Sequence, residues 1–316
     1  MTTAKKTTMK RSQLSDSDIM VTVYTLRMRH GFLLVHKPRG PTSHDTVAQL
    51  RRSLGEQKMG HLGTLDPLAT GLMVVAVGGK ALKVVELFNK LPKVYEACIT
   101  LGTTSTTYDS EGMLQEQKPK AGWLPPDDAS RIQALIDDRF LGKIQQVPPA
   151  FSAIHVGGER AYKKAMRGEH VEMQVRETTI SACKVIGYSF PIVTLEVHCD
   201  SGTYIRSLAH DLGISLRCGG YLSSLVRTAV GEWRLKNALP PDAIRWLDVI
   251  PLKDILPGFP SRELSSAEWG EIQHGRPIDG DMDPEKPFVA WYDGLPVALL
   301  ERSRKSEGML KPRKVL

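Results

Sequence analysis

Residues 60–79, GHLGTLDPLATGLMVVAVGG, run from a turn punctuated by glycine and proline straight into an unbroken apolar segment, Leu72 to Val77, closed by two glycines. Such a run is far too short to span a bilayer and reads as a buried strand. The turn in front of it carries one acid, Asp66, among apolar and hydroxyl neighbours. Gly60, Gly63 and Gly71 give backbone freedom or close approach there, and Pro67 stiffens the turn. A carboxylate in such a place is expensive to bury unless it is paired. Two readings stand side by side: a turn acid that caps local backbone N–H groups, or a reactive carboxylate held at a strand end.

The rest of the chain alternates strand and helix patterns without strict βα order, which favours an α+β class. GFLLVHKPRG (31–40) suits a buried strand running into a turn, and residues 43–54 space Val47, Leu50 and Leu54 on one helical face behind Thr42 and Ser43. A short helix is expected through Leu82, Val85 and Leu87. From Lys93 to Gly102, Tyr95, Ala97, Ile99 and Leu101 alternate with other residues, the period of a strand. WLPPDDAS (123–130) leads into a helix with Ile132, Leu135 and Ile136, after which regular rhythm is lost until about Val175. The segment from about 125 to 175 reads as an insertion. IVTLEVHC (192–199) is again a strand, followed by an amphipathic helix from about Tyr204 that Gly213 closes or kinks. Past Pro251, a capped helix at 265–275 and two strands around Asp293-Gly294 indicate a small β-rich domain over 251–316.

With 316 residues the chain can bury a substantial core. Its four cysteines form no C-x-x-C pair, which argues against a disulfide framework or a zinc ribbon. Residues 1–20 are polar and basic without the apolar core of a secretory signal, and disorder is expected there. A net charge of +7 is compatible with a polyanionic partner but does not identify one.

A second motif, DSGTYIRSLAHDLG (200–213), ends a strand in a glycine turn and presents Tyr204 and Arg206 at a helix start. A guanidinium there is suited to hold a buried carboxylate ionised, so Arg206 is a sensible partner for Asp66, against the plainer reading of a solvent-exposed helix arginine. With these two motifs, GFLLVHKPRGPTSHDTV (31–47), KVYEACITLG (93–102) and VPPAFSAIHVGGERAYKKAMRGE (147–169) occur in one order, and together they resemble the TruB family of tRNA pseudouridine synthases.

The resemblance implies a catalytic domain over 21–250 with a central, mainly antiparallel sheet and a small PUA-like domain after it. It implies isomerisation of uridine 55 in the T loop of tRNA to pseudouridine, with the stem-loop as partner and neither cofactor nor metal. Asp66 then matches the essential aspartate, Tyr95 the tyrosine that packs on the target base, and Arg206 the arginine paired with the aspartate. His61 matches a histidine that holds the loop once the uridine leaves its stack, and Tyr204 and Leu225 match residues lining the uracil pocket. Those atoms are unreachable in a stacked loop, so the nucleotide must be flipped out.

In the family the insertion clasps RNA, and Lys143, Arg160, Lys163, Lys164 and Arg167 are the contacts expected of it, with a solvated charged surface as the plainer reading. His155 stands where the family usually carries a lysine. The insertion and the sequence after Asp66-Pro67 match the stand-alone branch, which implies no guide RNA, no membrane, a monomer and a bacterial cytoplasm. A tRNA-binding or folding chaperone using the same surface is the second reading, and intact Asp66, Tyr95 and Arg206 favour catalysis over it. A phosphotransferase reading lacks a second nearby acid for a magnesium site.

Overall fold

The two apolar segments nearest the start pair with each other over their whole length. A computed structural model describes residues 30–118, 120–280, 288–303 and 306–316, so the basic tail lies outside the described residues. β1 (Gly31–Lys37) is followed by α1 (Ser43–Leu54), a short strand β2 (Met59–His61) and β3 (Thr70–Val77). β1 and β3 run antiparallel, from Gly31 opposite Val77 to Lys37 opposite Gly71. β3 carries no polar face because both of its faces are covered. Met73, Val75 and Val77 pack with Leu33 and Val35 against Val47, Leu50 and Leu54 of α1. Leu72, Val74 and Ala76 pack with Phe32 against α2 (Gly79–Val84). Helix α1 starts where the sequence says it should: the Thr42 hydroxyl accepts from Asp45 N, the Asp45 carboxylate accepts from Thr42 N, and Gly55 ends it at φ 66°.

Next come β4 (Lys93–Leu101), a hairpin of β5 (Thr103–Ser105) and β6 (Leu114–Glu116), α3 (Ala129–Arg139) and β7 (Gly142–Gln146). A second hairpin of β8 (His155–Val156) and β9 (Glu159–Arg160) leads into the single turn and a half of α4 (Ala161–Met166). Then follow β10 (Arg176–Ser189), β11 (Ile192–Cys199), α5 (Ile205–Ser215), β12 (Gly220–Val230), β13 (Trp233–Arg234) and β14 (Ile250–Pro251). Among the described residues ten strands form one sheet, in the order β14-β1-β3-β12-β4-β11-β10-β7, with β2 on β3 and β13 on β12. Every pairing is antiparallel except that of β3 with β12, where Thr70 lies opposite Val226 and Gly71 opposite Arg227.

That parallel junction demands glycine. Gly71 sits at φ 108°, and a Cβ there would stand 2.4 Å from the Arg227 carbonyl oxygen. Gly71→Ala is therefore expected to lower stability by more than about 2 kcal/mol, through strained backbone and a main-chain clash. Urea unfolding reads this out, and an unchanged midpoint would refute the close approach.

Two expectations from the sequence are corrected. The segment between α3 and β10 is not wholly irregular, since β7 pairs with β10 as an edge of the main sheet, Arg176 opposite Gln146. Its residues, GKIQQ, bury only Gln146, so no apolar alternation announced it. Gly213 neither closes nor kinks α5, which continues to Ser215. A Cβ on Gly213 would meet Gly220 N at 2.1 Å, so glycine is required there for helix-to-strand contact.

After α6 (Leu252–Ile255), β15 (Ser261–Glu263), α7 (Ser266–Ile272), β16 (Ile278–Asp279), β17 (Phe288–Tyr292), β18 (Leu295–Arg302) and β19 (Met309–Val315) form a five-stranded sheet with one helix. Asp293 and Gly294 turn β17 into β18 with both φ values positive, as a two-residue hairpin requires. β14 still belongs to the large sheet, pairing with β1. Val289 and Leu299 join the Phe32 cluster, and Glu86 beside α2 takes ion pairs from Arg313 at 2.8 Å and Lys314 at 3.3 Å.

Candidate active site

The Asp66 turn is fastened from four directions. Ser43 Oγ donates to Leu65 O at 3.0 Å and accepts from Leu65 N at 2.8 Å. Gly40 N donates to Pro67 O at 2.9 Å, and the buried Lys37 Nζ donates to Ala69 O at 2.8 Å. On the far side Arg227, wholly buried in β12, donates to Gly63 O, Thr64 O and Leu72 O. A loop held at this many points presents its one carboxylate in a fixed direction.

Arg206 comes from the first turn of α5, whose start is set by β7. Gln146 Nε2 donates to Tyr204 O at 3.2 Å while Tyr204 N donates to Gln146 Oε1 at 3.0 Å. The Arg206 guanidinium then lies between two carboxylates: Nε is 3.0 Å from Asp66 Oδ2, and NH1 is 3.4 Å from Asp109 Oδ2. NH2 donates to Phe151 O at 3.0 Å, which ties the insertion to the same group. Asp109 is itself held by the Thr107 hydroxyl at 2.5 Å and by Glu111 N at 3.0 Å.

Exposure separates the two acids. The Arg206 and Asp109 side chains are 7% and 3% exposed, whereas Asp66 is 36% exposed, so Asp66 is the member that a substrate can reach. Burial pushes the Asp66 carboxyl above its ordinary range; Arg206 opposes the shift, Asp109 adds to it and Lys37 opposes it. Burial likewise lowers the Lys37 ammonium to about 8, against the pull of Asp66.

Tyr95 lies in β4 directly opposite Arg227, 7% exposed, in one cluster with Leu65, Leu68, Ala69, Ile205 and Leu225. Burial pushes its phenol up, and Asp66 is near enough to add to that shift. Leu225 sits two residues before Arg227 and opposite Ala97. Tyr204, half-buried, precedes α5, and Asp66 again acts on its hydroxyl. His61 ends β2 opposite Val75, and its Nδ1 is buried with no hydrogen-bond partner among the described residues. Burial and then the nearby Arg227 lower its imidazole, so at neutral pH the ring is a neutral polar surface.

The five basic residues of the insertion do not share one condition. Lys163 and Lys164 sit on α4, Lys163 exposed and Lys164 half-buried, and Arg160 is exposed in β9. Arg167 is engaged by the insertion's own acids, with NH2 2.8 Å from Glu159 and Nε 2.5 Å from Glu169. Lys143 stands 3.2 Å from Glu177 across the β7–β10 pair. Arg167 therefore fastens the insertion as well as charging it. Sequence reasoning missed Asp109, Lys37 and Arg227. The first lies in a polar turn that resembles any other, and nothing in the spacing of the other two revealed that they are buried.

Residues 51–205 match the TruB family pseudouridylate synthase N-terminal domain. The tRNA pseudouridine synthase B of Thermobifida fusca is 42% identical over 294 residues, covering 89% of this chain and 97% of its own length. That of Xylella fastidiosa is 38% identical over 299 residues, covering 92% and 96%. Among solved structures, an H/ACA RNP bound to a substrate RNA containing 2'-deoxyuridine matches with a TM-score of 0.66 at 21% identity, over 92% of this chain and 86% of that one. A Cbf5-Nop10-Gar1 complex matches at the same TM-score and coverage with 23% identity. At such identity these two speak for the fold alone, whereas the full-length relatives speak for descent: the chain belongs to the TruB family of pseudouridylate synthases.

Proposed function

We propose that this protein converts uridine 55 in the T loop of tRNA to pseudouridine, acting as a monomer without a guide RNA in a bacterial cytoplasm. The observation that carries the reading is the Asp66–Arg206–Asp109 array, in which Arg206 and Asp109 are buried while Asp66 stays accessible. Its relatives named tRNA pseudouridine synthase B cover nearly all of this chain, which supports tRNA as the substrate class.

In this reading the T stem-loop docks over the cleft and the target nucleotide leaves its stack, at the cost of unstacking. Neutral His61 takes polar contact with the loop it vacates. Tyr95 offers a ring face to the uracil, with Leu225 and Tyr204 completing the pocket wall. The N1–C1′ bond breaks, the uracil turns within the pocket, and C5 bonds to C1′. C5 releases a proton and N1 acquires one, so the reaction is balanced without oxidant, reductant or water. Asp66, ionised against Arg206, attacks the sugar or the base, or takes a proton from the sugar.

The test uses an unmodified tRNA transcript and this protein alone, with carbodiimide labelling and primer extension. A single stop at the T-loop uridine is expected. No stop, a stop elsewhere, or a need for added RNA would overturn the reading.

The insertion supplies the backbone contacts in this scheme. Lys163→Ala with Lys164→Ala is expected to weaken tRNA binding and to lower the slope of log affinity against log salt by about 2, one for each phosphate that a lysine no longer neutralises. Filter binding across a salt series measures it. An unchanged slope would place these lysines away from phosphate.

A further inference from the structure

We propose that Arg227 is a positioning residue of the reaction, a buried fork that sets the Asp66 loop and the Tyr95 ring in register with each other. Among the described residues β12 is the strand that pairs with both β3 and β4, and its Arg227 stands between Gly71 and Tyr95. It lies opposite Gly71 of β3 on one side and opposite Tyr95 of β4 on the other. Its side chain is 0% exposed. Nε donates to Leu72 O at 2.7 Å, NH2 to Gly63 O at 3.1 Å and NH1 to Thr64 O at 3.3 Å. All three acceptors are main chain, and they bracket Asp66 on both sides. The absence of a Cβ on Gly71 allows the two backbones to meet closely enough for this.

The choice of a cation is informative. A neutral side chain of similar length could fill the space, and burying a guanidinium is costly without a paired carboxylate. Among the described residues no ion pair to Arg227 is found within 4.0 Å, and its charge instead bears on Lys37, Lys93 and His61, which it disfavours, and on Tyr95. Against the burial that raises the Tyr95 phenol, Arg227 pulls it down. The fork shape holds the Asp66 loop through three main-chain acceptors, and a lysine keeps the charge while losing that shape, so shape and charge can be separated by substitution.

The assignment rests on the Asp66-dependent reaction proposed above. Wild-type turnover on a tRNA transcript is measured first, so failure of that reading appears in the wild-type protein and failure of this one only in the variants. Arg227→Lys keeps the charge and loses the fork. Its single-turnover rate is expected to fall by about 10²-fold, the scale of a small misplacement of reacting groups, with tRNA affinity unchanged. Arg227→Gln loses the charge as well, and the Tyr95 phenol is then expected to titrate at higher pH, read as the tyrosinate absorbance that disappears on adding Tyr95→Phe to the same background. A purely structural arginine would alter the thermal midpoint without this split between rate, affinity and titration. A folded Arg227→Lys protein with wild-type rate, a rate loss that tracks weakened tRNA affinity, an unmoved Tyr95 titration in a folded Arg227→Gln protein, or a lysine variant that does not fold would each overturn the assignment.

Discussion

Asp66→Asn is expected to abolish pseudouridine formation in a tRNA transcript, a loss of at least about 10⁴-fold in the single-turnover rate, the scale seen when a reacting carboxylate or nucleophile is removed. Affinity for tRNA stays near that of the wild type. The reason lies in what the change removes: one negative charge and almost no volume, from a loop that main-chain and side-chain contacts already hold. Ser43, Gly40, Lys37 and Arg227 bind the backbone on either side of residue 66 and none of them uses its carboxylate for that purpose. The RNA surface is therefore unaltered while the reactive group is gone. Carbodiimide labelling of the product gives the rate and filter binding the affinity. Pseudouridine at the wild-type rate would remove Asp66 from the chemistry.

Arg206→Met strikes the same site through stability as well as rate. It strands Asp109, which is nearly inaccessible and has Arg206 as its cation at 3.4 Å. Breaking a buried pair on one side costs on the order of 3–5 kcal/mol, and urea unfolding is expected to show it. The rate should fall by about 10³-fold or more, since the carboxylate that reacts also loses its counter-charge. The pH profile carries the diagnostic sign. In the proposed reaction Asp66 works as the carboxylate, and burial sets it above its ordinary range, so wild-type turnover is expected to be lost as pH falls through that raised value. Without Arg206 the opposing pull disappears and the loss begins at higher pH. A profile that does not move would mean that Arg206 orders the cleft without acting on the charge of Asp66.

Much of the frame was legible in the sequence because local signals and tertiary demands agree there. Thr42 and Ser43 as caps, and the spacing of Val47, Leu50 and Leu54, marked the start and one face of α1. Alternation marked β4 and β11, and Asp293-Gly294 marked the hairpin of the small sheet. β7 was illegible because an edge strand beside few apolar groups has no reason to alternate. The candidate site divides in the same way. Asp66, Tyr95, His61, Arg206, Tyr204 and Leu225 lie in motifs that stand out as strings; of these, Asp66 and Arg206 form an ion pair, and Tyr95 and Leu225 share a cluster with Leu65. Asp109, Lys37 and Arg227 act through burial and through partners distant in the chain, which a string does not carry. Arg167 looked like its basic neighbours until Glu159 and Glu169 were found beside it.

The single parallel junction of the large sheet also joins segments made far apart in time. β3 acquires its neighbour β12, and the Leu72 carbonyl its Arg227 partner, across a separation of 155 residues. At roughly 5–20 residues per second of synthesis, Arg227 is made about 8–30 s after Leu72. During that interval the nascent chain can pair β1 with β3 and dock α1, but the reactive loop lacks its inner fastening. On the positioning role proposed for Arg227, a ribosome-bound fragment ending before β12 carries Asp66 without its inner fastening.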